Sequence, residues 1–205
     1  MSTLWQRVAR AGAGDDYATA YAERFRRAAA RGQDMDGEAR FVTTLRPAPA
    51  RVLDAGCGTG RIGARLAELG YDVVGCDVDD AMVAVARSES PGIDWHVADL
   101  ATLDLGTTFD VVLLAGNVVP FLEPGTLAAT GRRLAAHLAP GGVVVAGFGL
   151  DAAHLPAGAP VVPLDDVDAA LAAAGLVAGD RWSTWDREAH VTNGGYVVGT
   201  WGGPA

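Results

Sequence analysis

A glycine-rich loop directly behind a short apolar segment constrains the fold of this chain more than any other feature. The segment Arg51-Val52-Leu53-Asp54 has the length and apolar character of a buried strand, and it leads into Ala55-Gly56-Cys57-Gly58-Thr59-Gly60. Glycines let a backbone turn tightly and approach a ligand without a Cβ clash. Residues 59–69 are expected to form a helix whose first free N–H groups point into the same space. The sequence therefore predicts a ligand site at the end of a strand in an α/β fold.

Short apolar segments alternate with amphipathic ones along the rest of the chain. We predict strands at 72–76, 93–97, 109–114 and 143–148, and helices at 80–87, 124–138 and 165–174. Pro124 is expected in the first turn of its helix, and Pro140-Gly141-Gly142 is expected to form a turn. Two closing strands, 177–185 and 196–201, flank Asn193-Gly194-Gly195 and predict an antiparallel hairpin. This alternation predicts a doubly wound, mostly parallel sheet with helices on both faces.

Length and charge narrow the class of protein. The 205 residues favour one domain that covers 1–205 and has its own core. The formal net charge of −9 repels phosphate backbones, so nucleic acid is an unlikely partner. No apolar segment is long enough to cross a membrane, and residues 1–16 lack a hydrophobic signal core, so we expect a cytoplasmic protein without a membrane partner. Cys57 and Cys76 are expected to be free thiols, and the sequence predicts no metal site.

Three acids follow three successive predicted strands. Asp54 is suited to pair with a cationic amine, and Asp77 with both hydroxyls of a ribose, with Val78 beside the base. Asp99 is suited to accept a hydrogen bond from an adenine amino group, while Leu100 supplies apolar contact. Each acid also has a structural interpretation, because aspartates cap the segments that follow them. Together the acids predict a ligand that carries an amine, a ribose and an adenine.

In this order the motifs resemble the class I S-adenosylmethionine-dependent methyltransferase family, roughly over residues 52–148. The matching segments are Val52-Leu53-Asp54-Ala55-Gly56-Cys57-Gly58-Thr59-Gly60, Val74-Gly75-Cys76-Asp77-Val78-Asp79, Val97-Ala98-Asp99-Leu100 and Leu138-Ala139-Pro140-Gly141-Gly142. The resemblance implies a seven-stranded sheet whose last strand is antiparallel. It also implies S-adenosylmethionine as the cofactor. The resemblance places Asp54 and the glycine loop at the methionyl end, Asp77 at the ribose and Asp99 at the adenine.

The N-terminal residues 1–46 are expected to form a helical cap on this domain. A helix at 15–31 carries Tyr17, Tyr21 and Phe25 on one face. One interpretation packs this stripe on the sheet. The other makes it a lid over the methionyl end, with Tyr21 at the cofactor, because N-terminal segments of the resembled family often close the cleft.

One rival has to be weighed against this resemblance. Gly58-Thr59-Gly60-Arg61-Ile62-Gly63 matches the dinucleotide fingerprint, and Asp77 lies near the distance expected for its ribose acid. Three observations count against NAD: Asp54 would repel a pyrophosphate, Asp99 has no role in that fingerprint, and little chain remains for a substrate domain. We therefore favour S-adenosylmethionine.

The predicted function is methyl transfer to an unidentified small-molecule acceptor, by a monomer or a homodimer. Asn117, behind the fourth strand, is expected near the reacting methyl group, although a turn role is equally favoured. Because the leaving group is already good, positioning and desolvation supply much of the rate and a base is optional. If a base acts, His154 or Asp151 is the candidate. The alternative function is a non-catalytic sensor or scaffold that binds the cofactor, since no catalytic residue stands out.

Overall fold

One sheet of seven strands forms the centre of the protein, in a computed structural model that describes residues 2–203. The strand order is β3-β2-β1-β4-β5-β7-β6, and β7 runs in the direction opposite to the other six strands. The strands are β1 (Arg51–Ala55), β2 (Asp72–Asp77), β3 (Asp94–Val97), β4 (Phe109–Leu114), β5 (Leu138–Gly149), β6 (Val177–Trp182) and β7 (Tyr196–Gly202). The predicted fold class is confirmed. The predicted single domain also includes Met1, Pro204 and Ala205, which lie outside the described residues.

Helices cover both faces of the sheet. They are α1 (Leu4–Ala13), α2 (Tyr17–Ala30), α3 (Gly37–Leu45), α4 (Arg61–Glu68), α5 (Asp80–Glu89), α6 (Leu127–Ala136) and α7 (Leu164–Ala173), with a short 3-10 helix at Val119–Phe121. Neighbouring strand residues point to opposite faces: Val52 packs with Phe41 of α3 and Leu66 of α4. Leu53 packs on the other face, in the cluster that contains Leu134 of α6. Among the described helices, none is both long and apolar enough to span a membrane.

The boundaries differ from the predicted ones at several places. Helix α6 begins at Leu127, and Pro124 lies in the turn before it, so the prediction that this proline starts the helix is wrong. Strand β5 begins at Leu138, ahead of the predicted start, because Leu138 pairs with Phe109. The predicted turn Pro140-Gly141-Gly142 lies inside β5, where the register with β4 shifts. The closing strands do pair antiparallel, but a long connection, 183–195, replaces a tight turn.

The ring of Trp95 in β3 lies so close to several glycines near the ligand loop that a side chain would not fit at their positions. Its ring lies so close to Gly75 that a Cβ there would come within 2.2 Å of ring atoms. A Cβ on Gly60 or Gly63 would come within 2.8 Å of the same ring. Trp95 is 3% exposed, and its indole Nε1 donates to the Ser90 carbonyl at 2.9 Å. These glycines therefore let the tryptophan lie directly on the backbone of the strand–loop–helix unit.

The N-terminal cap consists of α1, α2 and α3. Helix α3 belongs to the sheet core through Phe41, which is 1% exposed. The face of α2 that carries Tyr17 packs on Met82 of α5 and on α1, in a cluster without strand residues. The interpretation that packs this stripe on the sheet is therefore wrong. The contacts of the stripe are instead with α5 and α1, where the Tyr21 ring meets the Trp5 ring.

Candidate active site

A large cavity opens at the carboxyl ends of β1, β2 and β4, where the strand order reverses between β1 and β4. Its empty volume is about 1010 Å³, counted out to the open mouth. The cavity brings together most of the predicted cofactor residues: Tyr21, Asp54, Gly56, Gly58, Asp77, Val78, Asp99, Leu100 and Asn117. Ligands of open α/β sheets bind at such a reversal. The position of the predicted site in the fold therefore matches that rule.

Four residues of the predicted set lie outside the cavity lining. Ala55 is fully buried in the sheet core. Gly60 packs under Trp95, and its N–H donates to the Cys57 carbonyl at 2.9 Å. His154 and Asp151 form an exposed pair behind β5, with 2.8 Å between Nδ1 and Oδ1. A role for this pair as a base stays a prediction.

Asp54, the residue before the last one of β1, is a buried carboxylate. It is 2% exposed, and its Oδ2 accepts a hydrogen bond from the Gly63 N–H at 3.0 Å. Burial raises the pKa of Asp54 to about 7, and the Gly63 bond opposes that rise. Because Asp54 also lines the cavity, a cationic group of a ligand would stabilise its charged form.

Asp77 ends β2 and organises the loop that faces it. Its Oδ2 accepts from the Gly58 N–H at 2.8 Å, and its Oδ1 accepts from the Asp79 N–H at 2.9 Å. Burial raises the pKa of Asp77 to about 6, and these backbone bonds oppose the rise. Each carboxylate oxygen keeps a further lone pair for a ligand hydroxyl. Asp79 is the N-cap of α5.

Asp99 and Leu100 lie behind β3 at the same edge. The Asp99 Oδ1 accepts from the Ala101 N–H at 2.8 Å, so the predicted capping role is present. Asp99 is nevertheless half-buried in the cavity lining, with Leu100 buried beside it. Capping and ligand binding are compatible here because a carboxylate has about four lone-pair sites.

Asn117 ties the loop behind β4 to the end of β5. Its backbone has a positive φ of 67°, and its Oδ1 accepts from the Gly149 N–H at 2.7 Å. The amide nitrogen of its side chain remains as a donor on a residue that lines the cavity. Next to it, Val118 lies so close to the glycine loop that a Cβ on Gly56 would come within 2.5 Å. Only glycine fits at that position, where φ is 82°.

An ion pair that sequence reasoning missed lies at the glycine-loop end. Arg61, the first residue of α4, contacts Glu38 of α3 at 2.9 Å, and both side chains line the cavity. Arg61 also donates to the Met35 carbonyl and lies 4.7 Å from the Phe25 ring centroid. The position of Arg61 just behind the glycine loop is the signal available in the sequence, but its pairing with Glu38 depends on how the cap docks.

The cap and the segment around the 3-10 helix together form a roof, which we define as Thr3 and Trp5 of the α1 region, Tyr21, Phe121 and Glu123. All five residues line the cavity. The Trp5 ring contacts the Tyr21 ring edge-on at 5.8 Å and the Phe121 ring at 5.2 Å. The Glu123 carboxylate accepts from the Leu4 N–H, at the first turn of α1. Of the roof residues, the sequence predicts only Tyr21.

Charge determines which ligand fits this cavity. Its lining carries five carboxylates, from Asp54, Asp77, Asp99, Glu38 and Glu123, against one guanidinium, that of Arg61. A pyrophosphate would be repelled, whereas a sulfonium and an ammonium would be attracted. Within residues 2–203, no group of three or more His, Cys, Asp or Glu residues is arranged to hold a metal ion.

A parallel sheet with a glycine loop and three strand-end acids around one cavity defines the class: a Rossmann-like fold built to bind an adenosyl group. A family model described as "Methyltransferase domain" matches residues 52–142. The crystal structure of a TehB-like SAM-dependent methyltransferase from Corynebacterium glutamicum is 32% identical, with a TM-score of 0.82. The match covers 92% of this chain and 98% of that one. This chain belongs to the class I S-adenosylmethionine-dependent methyltransferases, so the predicted family is confirmed.

The names of two further relatives specify the molecule that is methylated. A dTDP-4-amino-2,3,4,6-tetradeoxy-D-glucose N,N-dimethyltransferase from Saccharopolyspora spinosa is 35% identical over 121 residues, 57% of this chain and 49% of that one. An amino pentose methyltransferase from Micromonospora echinaspora, solved with SAM bound, is 27% identical with a TM-score of 0.65 and covers 86% of this chain and 96% of that one. The chain spans about half the length of the curated relatives it matches.

Proposed function

We propose that this chain transfers a methyl group from S-adenosylmethionine to a nitrogen of a small-molecule amine, with an amino sugar as the first candidate. The choice of S-adenosylmethionine as the cofactor rests on one observation, namely that three strand-end acids line the same cavity. The amine acceptor is supported by two relatives whose names specify amino sugars. It is also consistent with an acidic cavity, which attracts amines.

Each part of the cofactor would be held by different residues of the cavity. Asp77 would hold the ribose hydroxyls, Asp99 the adenine amino group, and Asp54 with the glycine loop the methionyl ammonium. Arg61 is the cation in the lining that would pair with the methionyl carboxylate. When bound, the cofactor supplies a methyl group on a sulfonium, which is already a good leaving group. The chain's own contribution is then to orient the acceptor nitrogen and exclude water.

The acceptor nitrogen would lie near the loop behind β4. The amide donor of Asn117 faces this part of the cavity together with the roof residue Phe121. The nitrogen must be uncharged to attack and loses a proton after transfer. His154 and Asp151 stay our candidate base for that proton. If they act, His154→Ala lowers kcat and leaves the dissociation constant for S-adenosylmethionine unchanged. An unchanged kcat would rule out His154 as that base.

Calorimetric titration with S-adenosylmethionine, followed by assay of S-adenosylhomocysteine, tests the function. The acceptor panel contains free and dTDP-linked amino sugars, with the corresponding hydroxyl sugars as matched controls. We expect saturable binding, and product with amines only. Absence of binding would refute the proposal. Binding without product across the panel would favour the sensor or scaffold alternative, and product with hydroxyl sugars alone would refute the nitrogen acceptor. A cytoplasmic location and a monomeric or homodimeric state stay predictions.

A further inference from the structure

Tyr17 connects the N-terminal cap to the ligand edge of the sheet through one buried hydrogen bond. Its hydroxyl donates to the Asp79 Oδ2 at 2.6 Å. Tyr17 is 3% exposed and Asp79 is 0% exposed, although the two residues lie 62 positions apart. A short bond from a hydroxyl to a buried carboxylate is among the stronger hydrogen bonds in proteins. It is therefore a firm contact between α2 and the loop behind β2.

Asp79 in turn holds the acid proposed for the ribose. The Asp79 N–H donates to the Asp77 Oδ1 at 2.9 Å, while the Asp79 Oδ1 accepts from the Ala81 N–H at 3.0 Å. The other oxygen of Asp77 accepts from Gly58. The orientation of the Asp77 carboxylate thus depends on where the backbone of Asp79 lies. Tyr17 holds the side chain of Asp79, and through it the position of that backbone.

We propose that Tyr17 is a positioning residue for the cofactor: through Asp79 it holds the Asp77 carboxylate in the orientation that binds the ribose. Tyr17 is not part of the cavity lining, so it acts without touching the ligand. This inference rests on the proposed binding of S-adenosylmethionine. It gives the N-terminal cap a second role beside covering the cavity, namely setting the affinity of the site.

The test compares Tyr17→Phe with Tyr71→Phe. Tyr71 is a matched control, because it is 6% exposed and its hydroxyl donates one bond, to the Arg46 carbonyl at 2.7 Å, away from the cavity. Each variant is titrated with S-adenosylhomocysteine and with 5′-methylthioadenosine, which keeps the ribose but lacks the amino-acid part. We expect Tyr17→Phe to weaken both ligands by the same factor, roughly ten-fold. Tyr71→Phe should leave both affinities unchanged.

The same experiment separates a positioning role from a merely structural one. If Tyr17 only stabilises the fold, both phenylalanine variants lose stability in urea but neither loses affinity, and the inference is overturned. A loss confined to S-adenosylhomocysteine would place the effect at the amino-acid end and overturn it as well. If the unmodified protein binds neither ligand, the proposed function itself fails. In turnover, the KM for S-adenosylmethionine should rise while kcat stays constant.

A second variant breaks the Tyr17–Asp79 hydrogen bond by changing Asp79. On its own it replaces Tyr17→Phe as the test if that variant does not fold. Asp79→Ser keeps a side chain that caps α5, but serine is too short to keep the Tyr17 bond. We expect Asp79→Ser to weaken both ligands by a factor close to that of Tyr17→Phe. The double variant should show no further loss, because both changes break one link. Losses that multiply in the double variant would show two independent effects and overturn the proposal.

Discussion

The floor and the roof of the cavity differ in how they are held. The floor, which we define as residues 51–102, from β1 to the loop behind β3, contains carboxylates that accept backbone hydrogen bonds, such as Asp54 and Asp77. In the roof, α1 has no buried residue among its described positions. It is joined to the loop behind the 3-10 helix by Glu123, whose ion pair with Arg7 is half-exposed at 3.8 Å. Exposed ion pairs contribute little to stability. The floor should therefore be rigid and costly to change, and the roof adaptable.

Trp95 gives the largest expected difference between the two regions. Trp95→Ala removes a ring that packs on three glycines of the floor, and it should lower the free energy of unfolding by about 3–5 kcal/mol. Equilibrium unfolding in urea measures this loss. A loss below about 1 kcal/mol would mean that the floor collapses around the vacancy and is not rigid.

Substitution of Asp77 is expected to have the next largest effect, which is on the affinity for S-adenosylmethionine. Asp77→Ala removes the proposed acceptor of two ribose hydroxyls, and hydrogen bonds to a charged group contribute about 1.5–3 kcal/mol each, so we expect at least about a hundred-fold loss of affinity for S-adenosylmethionine. Calorimetry on the unmodified and substituted proteins measures it. The isosteric Asp77→Asn should lose less, since it still offers one acceptor oxygen. If alanine binds within about three-fold of the unmodified protein, Asp77 is a structural residue only.

A pH series probes the floor without mutation. Burial raises the pKa of Asp77 to about 6 and that of Asp54 to about 7, so between pH 4 and 7 the folded protein holds protons that the unfolded chain has lost. In this window, these groups make the free protein less stable as the pH rises. Affinity for the cationic cofactor should change the opposite way, because the charged carboxylates bind it. We expect an affinity roughly ten-fold higher at pH 7 than at pH 5 for one such group.

Asp77→Asn is the control for the pH series. It removes one of the two titrating acids, so the affinity should depend less steeply on pH, while the stability of the free protein should fall less between pH 4 and 7. Calorimetry for affinity and thermal unfolding for stability follow the two trends separately. An affinity that is flat in the unmodified protein would contradict the cationic contact.

The contrast between the floor and the roof also explains which parts of the site the sequence predicts. The floor could be predicted because an aspartate lies within two residues of the end of each of β1, β2 and β3, and parallel strands bring their carboxyl ends to one edge. The roof depends on contacts between distant residues, such as Leu4 with Glu123, 119 positions apart, and no local pattern encodes them. Gly63 shows the limit within the floor itself. It completes a dinucleotide fingerprint in the sequence, yet in the fold it lies between Trp95 and Asp54. Local spacing does not reveal which neighbour a glycine accommodates.

Substitution of Trp5 is expected to have the smallest effect on stability. Trp5 is the tryptophan of the roof, and so it can be compared directly with Trp95 of the floor. Trp5→Ala removes two edge-on aromatic contacts that contribute about 0.5–1.5 kcal/mol each. The indole Nε1 of Trp5 is buried without a hydrogen-bond partner within the described residues, and removing that donor offsets part of the loss. We therefore expect Trp5→Ala to lower the free energy of unfolding by about 1 kcal/mol. Trp5→Phe, which keeps an aromatic ring and removes the donor, should be as stable as the unmodified protein. Urea unfolding measures both variants, and a loss for Trp5→Ala as large as that for Trp95→Ala would make the roof part of the core.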